Sequence, residues 1–123
     1  MTIIEAINNI DSLKPNAYTQ TDKIRWLSRL DGKVKSELID THEGSNDTAF
    51  NGYDDDTSLE TELLIPYPYD EVYSLWLEAQ IDYANNEYGR YNNSMSMFNA
   101  IYSAFERWYN RNHMPLGKHI KLF

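Results

Sequence analysis

The chain contains no cysteine. That excludes disulfides, thiolate zinc sites and a cysteine nucleophile together. No stretch approaches the roughly 20 continuous apolar residues that a bilayer-spanning helix needs. The opening Met1-Thr2-Ile3-Ile4-Glu5 has no basic segment ahead of a long apolar one, so no secretory leader is expected. A cytoplasmic setting fits both absences.

Positive charge is missing where it would be most telling. Residues 36–89 hold fourteen acidic side chains and no Lys or Arg, between a first segment with six basic and four acidic residues and a last with five basic and one acidic. The segments therefore carry +2, −14 and +4 in a chain of net charge −8. A sequence-specific nucleic-acid reader needs clustered Lys and Arg, and this balance argues against one. An acidic middle between basic ends suits head-to-tail contact between copies or a basic partner surface; it also suits a plain solvated face.

What is present reads as one globular domain: 123 residues, 41% apolar and 24% charged. Thr2 and Glu5 have capping-box spacing ahead of Ile3, Ile4, Ile7 and Ile10, and Lys14-Pro15 should end that first helix. A second stripe, Ile24, Leu27, Leu30, Val34 and Leu38, starts after Thr19 or Thr21, with Gly32 inside it as a place for a kink. Residues 42–58 are rich in Gly, Asn and Asp and read as a long loop, followed by an extended stretch Leu59 to Ile65. Asp70 is the expected N-cap of the third helix. Its apolar residues fall on two adjacent faces, Val72, Leu75, Trp76, Ala79, Tyr83 and Tyr73, Leu77, Ile81, Ala84, Tyr88, leaving only Ser74, Glu78, Asp82 and Asn85 polar. A helix so widely apolar is either central in its own bundle or packed on a second chain. Gly89 to Asn93 reads as a turn, with Asn92 or Asn93 capping a fourth helix that ends before Pro115. Helices three and four, so closely joined, should be antiparallel. The expected fold is all-α: a single-domain, small four-helix bundle with helices at about 2–13, 20–40, 70–88 and 93–112. A long loop or short β-hairpin over 42–68 joins helices two and three, and residues 114–123 form a tail.

Candidate chemistry is sparse. His42, His113 and His119 lack the i, i+4 spacing of a helical metal pair. Asp47 to Ser58 nearly frames a calcium loop, but Ala49 fails the third position and Ser58 stands where a bidentate Glu belongs. Glu78 and Asp82, four apart on the polar face of helix three, could do acid–base work in an apolar pocket; their polar neighbours suggest solvent instead. Ser94 and Ser96 have no His at a telling distance. No phosphate loop, dinucleotide fingerprint or nucleophile elbow is present. No enzyme, cofactor or metal is therefore expected.

The positive signal is aromatic. Ten Tyr and three Trp occur in 123 residues, and eight of the tyrosines lie between Tyr67 and Tyr109. Tyrosine combines large contact area with a polar tip and is enriched at interfaces. The expected contact residues are Phe50, Tyr53, Asp54, Asp55, Asp56, Tyr67, Tyr69, Tyr73, Trp76, Leu77 and Tyr88.

Four runs carry a family resemblance: Leu63-Leu64-Ile65-Pro66-Tyr67-Pro68-Tyr69-Asp70-Glu71-Val72-Tyr73, Ala79-Gln80-Ile81-Asp82-Tyr83-Ala84-Asn85, Arg90-Tyr91-Asn92-Asn93-Ser94, and Trp108-Tyr109-Asn110-Arg111-Asn112-His113-Met114-Pro115. They resemble small proteins from the head-morphogenesis regions of tailed bacteriophages and prophages of Gram-positive bacteria, similar to the head–tail connector or adaptor family. The likeness covers about residues 50–115, while residues 1–45 agree mainly in pattern. It implies a virion protein, assembled in the host cytoplasm as a homo-oligomeric ring of about twelve copies beneath the portal. Such a ring extends the DNA channel and offers a docking surface to the tail or a stopper protein. It also implies an acidic channel wall and an arm over 42–68 laid on a neighbouring subunit. The rival readings are a helical phage-encoded regulatory module with a single partner protein, and a small hydrolase built on Glu78 and Asp82.

Overall fold

The Thr2–Glu5 capping box forms as its spacing predicts: the Thr2 side chain accepts from the Glu5 N–H, and Glu5 accepts from the Thr2 N–H at 2.9 Å. It opens α1, Ile3–Leu13, which buries Ile3, Ala6, Ile7 and Ile10. The computed structural model describes residues 1–44 and 49–116. A second capping box, Thr19 with Asp22, opens α2, Gln20–Glu37. This helix passes through Gly32 and ends in a 3₁₀ turn, Ile39–Thr41, so the expected 20–40 helix finishes as a tightened turn. α3 is Val72–Ala84 and α4 is Tyr88–Asn112. Among the described residues there are four α-helices and no strand, an all-α bundle.

Two boundaries differ from expectation. Asp70 makes no side-chain cap; it lies in a 3₁₀ turn, Tyr69–Glu71, that leads into α3. The break between α3 and α4 falls at Asn85-Asn86-Glu87, with Asn86 at φ 60°, and Gly89 to Asn93 are already helical. Asn is the non-glycine residue that best tolerates the left-handed region, so the pair Asn85-Asn86 was the stronger stop signal.

α3 is the central element, packed against α1, α2 and above all α4. That accounts for its all-round apolarity: Val72, Tyr73, Leu77, Ala79 and Ile81 are buried on several sides. α3 and α4 run antiparallel, since Trp76 meets Phe98 while Tyr69, before α3, meets Phe105 and Trp108 far along α4.

The segment 49–68 is an irregular arm lying on the helices of the same chain. Its carbonyls at Leu59 and Thr61 accept from the N–H groups of Ile4 and Ile3, and the Leu63 N–H donates to the Met1 carbonyl. The arm thereby satisfies two amides that a helix start leaves without partners. It also inserts Leu63 and Ile65 into the core. The close approach is sharpest at Gly52, whose φ is 85° and where an added Cβ would lie 2.6 Å from Ser28 Oγ. That hydroxyl accepts the Tyr53 N–H at 2.9 Å. Gly52→Ala should therefore cost about 2–3 kcal/mol, from the left-handed backbone and the displaced hydroxyl together, read as a lowered urea midpoint. An unchanged midpoint would mean that the arm does not hold this contact.

Candidate functional site

The strongest buried polar feature lies where α2, α3 and the arm meet. Asp31 is fully buried, and its two oxygens accept from Tyr53 Oη and Tyr73 Oη at 2.6 Å each and from the Leu64 N–H at 3.1 Å. Tyr73 Oη in turn accepts the Ile65 N–H at 2.8 Å. Burial holds the Asp31 carboxyl above the ordinary carboxylate range, against the opposing pull of these donors. Burial, together with the neighbouring carboxylate, pushes both tyrosine hydroxyls well above their usual range. Such tyrosines stay protonated and act as hydrogen-bond donors. The hub therefore clamps the arm to the bundle. Asp31 was not singled out from sequence, although an acid on the stripe between Leu27, Leu30 and Val34 was a signal.

A second buried acid corrects the expectation of a solvated carboxylate pair. Asp82 is fully buried and ion-paired with Lys14 Nζ at 2.6 Å, and Ser94 Oγ lies 3.1 Å from Glu78 and 3.4 Å from Asp82. Periodicity put Asp82 on the polar stripe of α3, but α1 and α4 close over that stripe and Lys14 supplies the counter-charge. Beside the pair is a depression of about 310 Å³ lined by Leu13, Lys14, Glu78, Arg90, Ser94 and Met97. Its charges face one another: Lys14 is held by Asp82, and Arg90 is 3.1 Å from Glu87. The arrangement ties α1, α3 and α4 together.

His42 and His113 serve packing. His42 is buried, with Nδ1 2.6 Å from the Leu38 carbonyl and Nε2 2.6 Å from Asn110 Oδ1. His113 stacks on Tyr109 at 3.9 Å. Residues 41–43 also pair with the start of the tail, through Glu43 N–H to the Met114 carbonyl and Leu116 N–H to the Thr41 carbonyl. His119, Asp47 and the tail from 117 onward lie outside the described residues. No group of three or more His, Cys, Asp or Glu suited to a metal ion occurs among the described residues.

The residues expected at contacts separate into five settings. Tyr73 and Leu77 are completely buried in the core, so they support the fold and are not exposed to a partner. Tyr53, Phe50 and Tyr69 are half-buried: Phe50 packs edge-to-face on Tyr53 at 5.1 Å, and Tyr69 covers Phe105 and Trp108. Asp54, Asp55 and Asp56 are exposed on the arm's outer edge, where Asp54 Oδ1 accepts the Asp56 N–H and Asp55 accepts Thr21 Oγ1. Tyr67, at 85% exposed, and Tyr88, at 52%, face solvent, and Tyr88 shares its end of the molecule with Tyr83, 57% exposed, and Tyr91. Tyr83, placed by periodicity on an apolar face of helix three, is exposed, as are Leu13 and Met97.

Trp76 occupies a setting of its own. Its Nε1 donates to the Trp26 carbonyl at 2.8 Å and its ring packs on Phe98 at 5.4 Å. With Phe98 and Tyr102 it floors a cleft of about 200 Å³ between α2 and α4, rimmed by Arg29 and Lys33. Burial, followed by nearby Glu106 and Glu37, pushes the Tyr102 hydroxyl up to about 12.

Compared with protein-family models, curated proteins and solved structures, the chain matches none.

Proposed function

We propose that this protein is a structural subunit of a tailed-phage particle, a head–tail connector that self-associates into a ring between the portal and the tail or its stopper. One observation carries the reading. Tyr67 stands exposed before the start of α3, and Tyr83 with Tyr88 stands exposed around its end, about 20 Å away along a 13-residue helix. These are unlike surfaces on one subunit. Unlike surfaces that meet produce heterologous contacts, which close into a ring when the rotation between copies divides a full turn, whereas a two-fold dimer reuses a single patch. Large exposed tyrosines are the side chains that anchor such contacts.

The charge pattern and the resemblance of residues 50–115 support the same reading. The arm's acidic outer edge, Asp54 to Asp56, is free to face a channel that DNA must pass without sticking. The arm itself is clamped to its own subunit, so contact with neighbours passes through its exposed tip and not through the whole segment.

Deleting the gene from the phage that carries it tests this directly. Electron microscopy should then show DNA-filled heads and separate tails, with joined particles restored by supplying the protein in trans. Normal tailed particles without the protein would refute the connector role.

A further inference from the structure

We propose that Tyr67 of one copy seats in the cleft between α2 and α4 of the next, on Trp76, Phe98 and Tyr102 and beneath Arg29 and Lys33. This inference rests on the self-association proposed above and names its lateral contact.

The cleft suits a side chain better than a small molecule. Its volume of about 200 Å³ lies below the roughly 300–1,000 Å³ of small-molecule sites. The floor is aromatic: Trp76 and Phe98 are 5.4 Å apart, and Phe98 stacks on Tyr102 at 5.4 Å with an interplanar angle of 17°. An entering ring finds offset and edge contacts there. At the rim, Arg29 has no ion-pair partner among the described residues, and Lys33 reaches only Glu37, at 4.0 Å. The cleft thus presents apolar surface with the guanidinium of Arg29 at its rim.

Among the described residues the most exposed complement to it is Tyr67. Tyr67 is the most exposed large apolar side chain among the described residues, and its ring meets no other aromatic ring there. It belongs to the segment without a single Lys or Arg, and the exposed Glu71 follows it by four residues. A tyrosine followed by an exposed carboxylate and entering an aromatic cleft rimmed by Arg satisfies charge and apolar complementarity at once. Donor and receptor are different residues of one chain, so every copy offers both halves of the contact, which repeats from copy to copy where the rotation between copies closes a ring.

Sedimentation equilibrium on the full chain tests the contact, with circular dichroism as a check on folding. Tyr67, Arg29 and Glu71 are exposed, so Tyr67→Ala, Arg29→Glu and Glu71→Arg should leave the fold intact. Each should weaken self-association by about tenfold or more. Combining Arg29→Glu with Glu71→Arg should restore association to within about threefold of wild type, because the exchanged charges meet again. Wild-type assembly that is indifferent to Tyr67→Ala, or a charge exchange no better than its single variants, overturns this inference and leaves the connector reading standing. A wild-type chain that never associates overturns both.

Discussion

Asp31→Ala should cost about 3–5 kcal/mol of unfolding free energy, one of the two largest losses expected from a single substitution here. The change strips the acceptor from two tyrosine hydroxyls and the Leu64 N–H at once. Each buried donor left unpaired costs about 1–3 kcal/mol, partly offset because a desolvated charge disappears with them. Asp31→Asn keeps one acceptor oxygen and should lose less, about 1–2 kcal/mol. The arm should loosen first, so hydrogen exchange at Leu64 and Ile65 should accelerate before exchange in the helices. Acidity provides a further check. Because burial raises the Asp31 pKa in the folded state, its contribution to stability is fully present below the unfolded carboxylate pKa and is lost as pH rises through the folded value. Lowering the pH from about 7 toward 4 should therefore shift the stability difference between wild type and Asp31→Asn in favour of wild type. A difference independent of pH would show that Asp31 titrates alike in both states.

The Lys14–Asp82 pair should respond asymmetrically. The Asp82 side chain is 1% exposed and that of Lys14 is 18% exposed. Lys14→Ala leaves a buried carboxylate without its counter-charge and should cost about 3–5 kcal/mol. Asp82→Ala leaves an ammonium that can swing to water, and Ser94 keeps Glu78 as acceptor, so its cost should be nearer 2 kcal/mol. The double variant should lose less than the two single losses added, with a coupling of about 1–3 kcal/mol in a denaturant double-mutant cycle. Strict additivity would mean that the pair does not form. Equal single losses would mean that both ends are equally buried.

The helices were legible because their signals are local. Both capping boxes and the apolar stripes of α1 and α2 depend on residues three or four apart, and proline marks the end of α1. The doubly apolar α3 was legible as a choice between a central helix and a chain–chain interface, and the bundle resolves it toward the centre. Long-range features were not legible. Asp31 meets Tyr53, Leu64 and Tyr73, and Asp82 meets Lys14, all contacts that no spacing rule reaches. For the same reason Tyr73 and Leu77 read as contact residues: composition shows that tyrosine is abundant, while the direction each ring points depends on which helix covers it. The cleft over Trp76 needs α2 and α4 to be placed together before it exists.

The central claim is that unlike surfaces of one subunit join into a closed ring. Native mass spectrometry of the purified chain across a wide concentration range measures this most directly. The account predicts a ladder of oligomers ending in one dominant closed species of about twelve subunits. A strict monomer at every concentration, or a ladder ending at the dimer, would contradict it.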